Sequence, residues 1–91
     1  GNRRGIAECL AGLAGVRARQ SQHEWGAIML AAAETLLKST GGEWWPADRV
    51  EVERNREMIQ TSLEEDVFKN AWQRGESMNI DQAIQFATNA K

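Results

Sequence analysis

Residues 6–38 constrain this chain more than any other stretch, because they read as one helix–turn–helix unit with more apolar surface than its own two helices can cover. The first helix carries Ile6, Leu10, Leu13 and Val16 with Arg17 at helical spacing. The second carries Trp25, Ile28, Met29, Ala32 and Leu36 on one side, with Ala33 and Leu37 beside it. The polar loop Gln20-Ser21-Gln22-His23 joins them. Apolar residues recurring at helical spacing mark amphipathic helices. Helix pairs of this length bury their faces only when neighbouring pairs stack on them, so a helical solenoid is the expected setting and a piece of a larger machine the expected context.

With 91 residues there is room for a single domain spanning 1–91, and 42% hydrophobic with 26% charged residues is ordinary for a globular protein. Residues 1–40 carry five basic and three acidic side chains, whereas residues 41–91 carry six basic and ten acidic ones. A formal charge of −2 argues against nucleic acid as the main partner, because phosphate contacts need clustered Lys and Arg. The single Cys9 has no partner for an internal disulfide; its place between Ala and Leu residues predicts a buried, reduced thiol and favours the cytoplasm. There is no apolar run of about 18 residues, so no membrane span is expected. The opening Gly1-Asn2 in place of Met suggests an excised or processed segment and carries no evidence about targeting.

Glycine and proline divide the rest. Gly41-Gly42 closes the second helix, since Gly adopts the left-handed conformation without a Cβ penalty. Pro46 opens a third helix where a missing N–H costs nothing, and Asp48 suits that end electrostatically. This helix, 46–63, is highly charged, with a thin apolar side of Val52, Ile59 and Leu63 flanked by Val50 and Met58. A helix this polar lies on the outside, touching its neighbours along a narrow stripe. Glu64-Glu65-Asp66 begins a fourth helix, buried through Val67, Phe68, Ala71 and Trp72 and ended by Gly75. Asn79 with Gln82 forms a capping box for a fifth, whose Ile80, Ala83, Ile84 and Ala87 share a face extended by Phe86. No run alternates with period two. The expected fold is all-α with five helices: a pair at 6–38, a second pair at 46–75 stacked on it, and a closing helix at 79–90.

With the helices placed, residues 6–38 resemble a tetratricopeptide repeat. With Ser21 as the turn, Leu10, Leu13 and Ala14 fall at the first helix's apolar and small positions, and Gly26, Leu30 and Ala33 at those of the second. The fit departs at Arg17, where an aromatic is usual, and at Lys38, where proline often follows. The order Ala31-Ala32-Ala33-Glu34, Leu36-Leu37, Gly41-Gly42, Pro46-Ala47-Asp48-Arg49, Phe68, Ala71-Trp72, Gly75 and Ile80-Asp81-Gln82-Ala83-Ile84 is more specific. It is similar to the C-terminal end of the helical-repeat region in large bacterial signalling ATPases, which include LuxR-type transcriptional regulators and related adenylate cyclases and kinases. It departs at Trp44-Trp45 and at Glu64. The resemblance implies tetratricopeptide-like hairpins in a right-handed α-superhelix fragment, contacting protein partners or other parts of its own chain. The family's ATP-binding loop and DNA-binding helices have no counterpart here.

No catalytic set is visible. His23 stands alone in a polar loop, without a second His or a nearby Cys to make a ligand set. Cys9 has no adjacent His or Lys to activate it. Glu53 with Glu57, and Glu64-Glu65-Asp66, are read as the wet faces of polar helices. There is no glycine-rich phosphate loop. Neither a cofactor nor a metal is implied, and the chain is read as no enzyme. An alternative is a DNA-binding or regulatory domain using a helix-turn-helix over 65–90. Its reading helix would carry Asp81 and no Lys or Arg before Lys91, the wrong sign for a polyanion. Arg3, Arg4, Arg17 and Arg19 form the only basic concentration, read as an exposed flank before a phosphate patch. A further alternative is a small-ligand sensor lodged in the repeat groove.

The favoured reading is therefore a non-catalytic protein-interaction and scaffold module of a bacterial regulator. Its candidate partner-binding residues are Ile6, Leu10, Trp44 and Trp45. The first helix is expected to leave Ile6, Ala7, Leu10, Ala14 and Val16 uncovered, a surface that a second copy would cover in a two-fold dimer. Trp44-Trp45 are read either as a plug between the second and third helices or as an exposed aromatic anchor. Trp72 and Phe68 are expected to fill the space between the helix pairs under Ile84 and Ala87, with Trp72→Ala costing about 3–5 kcal/mol.

Overall fold

The computed structural model describes residues 2–89. It is all-α: α1 (Arg3–Arg19), α2 (His23–Ser39), α3 (Pro46–Ser62), α4 (Glu65–Glu76) and α5 (Ile80–Asn89), with no strand among the described residues. The helix-end signals account for the boundaries. The α1–α2 turn is a Schellman motif in which Ser21 takes the left-handed position (φ 66°), with Gln22 N–H donating to Arg17 C=O and Ser21 N–H to Ala18 C=O, both at 3.0 Å. His23 is the first residue of α2 and not part of the loop. Gly41 (φ 76°) closes α2, Pro46 opens α3, and Asn79 and Gln82 form the expected reciprocal box at 2.8 and 2.9 Å.

The centre of the molecule is α2. Every residue from Gly26 to Ala33 is buried, together with Leu36 and Leu37. That pattern belongs to a helix covered on several sides, by more than its hairpin partner alone. Helix α1 lies along one side of it and α4 along another, while α3 and α5 make smaller contacts with it. The expected second pair is thus two helices that meet each other sparingly and are each seated on the first pair: α3 on α1 and α2, α4 on α2. The radius of gyration, 11.8 Å, is that of a closed globule, about 12 Å for a chain of this length.

Small residues set how closely the helices approach. At the α1–α2 crossing a methyl on Gly26 would come within 3.2 Å of the Ala14 carbonyl oxygen and 3.4 Å of the Ala18 Cβ. At the α2–α4 crossing a methyl on Gly75 would overlap the Ile28 carbonyl oxygen and lie 2.7 Å from the Ala31 Cβ. Gly75 therefore does not end α4, which runs on to Glu76; it lets α4 touch the α2 backbone. The space between α2 and α4 is closed by Gly75, Ala71 and Ala31, all buried, and not by aromatic bulk. Phe68 and Trp72 are half-buried at the margin, stacked on each other with centroids 5.5 Å apart. Ile84, expected to cover them, is 38% exposed; α5 is anchored through buried Ala83 and the stack of Phe86 on Trp25.

Candidate functional site

Helix α1 divides lengthwise into two faces. Ala7, Leu10, Ala11, Ala14, Gly15 and Ala18 are buried. Leu10 is only 3% exposed, so it belongs to the core and cannot serve as a free partner-binding residue; Ala7 and Ala14 are fully buried beside it. Ile6 is half-buried and packed against the same core. The uncovered face is the next stripe round, Gly5, Cys9, Gly12, Leu13 and Val16, all exposed. Leu13 is 42% and Val16 47% exposed, and a methyl on Gly12 would meet nothing within 4 Å. Cys9 is consequently an exposed thiol, contrary to the buried one expected.

The two indoles of the α2–α3 loop part company. Trp44 is half-buried, packed against the core and lining the clefts where α3 meets α1 and α2. Trp45 is 59% exposed, with the Arg4 guanidinium 4.4 Å from its ring centroid. Val50, on the first turns of α3, is exposed as well. One indole plugs the gap; the other is on the surface.

The N-terminal arginines are largely engaged within the fold. Arg4 reaches Glu8 at 3.4 Å and also donates to the Glu43 carbonyl. Arg17 donates to Gln22 at 2.9 Å and sits 4.9 Å from the Trp25 ring centroid. Arg19 pairs with Glu51 at 2.6 Å. An engaged guanidinium is a poorer phosphate ligand, because binding must first break its internal contacts.

Between α2 and α3, Glu34 is largely covered, with Arg56 4.0 Å away. Burial pushes the Glu34 carboxyl above its ordinary range; Arg56 and Lys38 pull it down, and Glu53 and Glu76 push it further up. Asn55 of α3 is the one buried polar side chain of the described core; its amide fills the place a Gly15 side chain would take, with Nδ2 2.6 Å from that Cβ position. Sequence periodicity missed it, since Asn55 stands on the same stripe as Val52 and Ile59 but is polar.

A groove of about 580 Å³ opens where the start of α2, the end of α4 and α5 converge. Its apolar wall is Trp25, Phe86 and Met78; its polar rim includes Arg74, Gln82 and Gln85. Trp25 and Phe86 stack at 5.5 Å with an interplanar angle of 24°, and Arg74 lies 5.2 Å from the Phe86 centroid. The sequence signal for this groove is the run of amides Gln82, Gln85 and Asn89 along one side of α5, beside its apolar stripe.

His23 stands at the start of α2, and among the described residues no group of His, Cys, Asp and Glu is arranged to hold a metal ion. No described helix is long and apolar enough to cross a membrane. Comparison with known proteins adds nothing to this geometry: no family model, curated protein or solved structure matches the chain.

Proposed function

We propose that this chain is a non-catalytic protein-interaction and scaffold module, acting in the cytoplasm as the C-terminal end of a tetratricopeptide-like repeat region in a bacterial signalling or transcriptional regulator. In that reading the helices are the last turn of a right-handed α-superhelix, and a preceding helix pair or a protein partner covers α1. The observation that carries it is the second apolar stripe of α1: Leu13 and Val16 are exposed on a helix whose other face is already buried. Two large apolar residues flanked by small Gly5, Cys9 and Gly12 make a flat strip on which another helix can lie closely. The engagement of Arg4, Arg17 and Arg19 inside the fold weighs against the alternative of direct DNA binding.

The experiment uses Cys9 as a reporter, since it lies in the middle of this strip. When the isolated chain is concentrated, a second copy is the partner at hand, so maleimide labelling of Cys9 should slow as light scattering registers dimers. Leu13→Glu should restore both fast labelling and the monomer mass, whereas Trp45→Ser should restore neither. A chain that stays monomeric with Cys9 freely reactive at the highest attainable concentration would remove the strip as an interaction surface. Strong, salt-sensitive retention of DNA would favour the operator-binding alternative instead.

A further inference from the structure

The groove between α2, α4 and α5 is unrelated to the α1 strip and has the make-up of a small-molecule site. Its volume of about 580 Å³ falls within the range of roughly 300–1,000 Å³ typical of such sites. The apolar wall is held in place before any ligand arrives, because Trp25 and Phe86 brace each other and Met78 beside them is half-buried. Among the described residues Arg74 is the only ionised side chain lining it. This is a local inversion of sign, since residues 41–91 carry an excess of acids and none of these acids lines the groove. Among the described residues Arg74 meets the Phe86 ring and no carboxylate, whereas Arg4, Arg19, Arg49 and Arg56 each face one. The indole N–H of Trp25 is buried without an acceptor among the described residues.

We propose that this groove binds a small organic carboxylate with an apolar body. The body lies against Trp25, Phe86 and Met78, where its burial drives binding. The carboxylate goes to the Arg74 guanidinium, whose planar fork matches two carboxylate oxygens. The amides of Gln82 and Gln85 donate as well as accept, so they tolerate an anion at the rim. An amine would face Arg74 with no acid to offset the repulsion, and a neutral alcohol would gain the apolar wall alone.

The test is titration of the whole chain with phenylbutyrate, phenylbutanol and phenylbutylamine, probes that share one body and differ in the charged end. Binding is read by calorimetry and by the indole N–H resonances. Phenylbutyrate should saturate, shift the Trp25 resonance and bind about tenfold tighter than the alcohol, as a charge-assisted hydrogen bond provides. The amine should bind most weakly. Arg74→Gln should erase the preference for the acid and leave the alcohol unchanged. Equal binding of the three probes, failure of the acid to saturate, or an acid preference that survives Arg74→Gln would each overturn the proposal. If Arg74→Gln does not fold, the order of the three probes on the parent chain decides alone. Saturation by an acidic peptide where the free acid fails would assign the groove to a protein partner and overturn the proposal too.

Discussion

Replacing glycine by alanine should have opposite effects at two positions of this chain, and the contrast tests the packing directly. Both Gly12 and Gly75 lie within helices, so each Gly→Ala change lowers the entropy lost on folding and favours the helix by about 0.5–1 kcal/mol. At Gly12 nothing stands within 4 Å of the new methyl, and that gain should appear in full. At Gly75 the methyl would overlap the Ile28 carbonyl oxygen and approach the Ala31 Cβ to 2.7 Å. Neither neighbour is a flexible chain end that can swing aside. Ordinary contact needs about 3.5–4.0 Å, so α4 would have to retreat from α2 by at least about 1 Å. A gap of that width forfeits a quarter to a half of the dispersion energy along the contact, and overpacking of this kind costs about 1–3 kcal/mol. Because a backbone carbonyl is the obstacle, the upper end applies, and the net loss after the helix gain is about 2 kcal/mol. In a domain of this size that lowers the melting temperature by about 8–16 °C, whereas Gly12→Ala raises it by about 2–8 °C. Thermal and urea unfolding followed by circular dichroism measure both. Gly75→Ala melting at or above the parent would refute the close α2–α4 contact.

The Glu34 carboxyl is held above its ordinary range by burial, so the folded chain takes up its proton more readily than the unfolded one and the ionised form costs stability. Glu34→Gln should therefore be more stable than the parent at neutral pH, with the advantage shrinking as pH falls through the raised pKa and vanishing below the ordinary glutamate value of 4.5; urea midpoints across that window check it, and a difference independent of pH would exclude charge as the cause. Trp72 is half-buried between Phe68 and the Arg56 guanidinium, 4.9 Å from its ring centroid, so Trp72→Ala should cost about 1–3 kcal/mol, below the range for a fully buried indole; a larger loss by urea unfolding would place the ring deeper than it stands.

What could be read in the sequence was mostly local. The Asn79–Gln82 box, the left-handed Gly41 and Pro46 at the head of α3 act within one turn of the chain, so residue identity at short range was enough to place them. The role of α2 was partly legible. Seven apolar residues in succession from Ala27 to Ala33 leave no polar face, a pattern that requires cover on every side. Gly75 was misread because a glycine near the end of a helical pattern has two explanations, a stop and a close approach. Only the facing backbone at Ile28 separates them. The same holds for the groove: Trp25 and Phe86 are separated by most of the chain, and no local pattern brings them together.

Helix α1 has two faces that could each have formed its core side. The helix offers two stripes of nearly equal apolarity, one through Ala7, Leu10, Ala14 and Ala18 and one through Cys9, Leu13 and Val16. By bulk alone the second is the better core stripe, since it holds Leu13 and Val16 where the first has mostly alanine. Yet the first is the one buried. What decides between them is written on α2, where Gly26 and Ala27 leave room for a backbone to come close. A stripe of alanines gains more there than a stripe of larger residues, because close approach multiplies dispersion contacts along the whole crossing while bulk would hold the helices apart. The larger side chains are thereby left on the outside, and the apolar surface that makes α1 a candidate interface is a consequence of how tightly its other face packs.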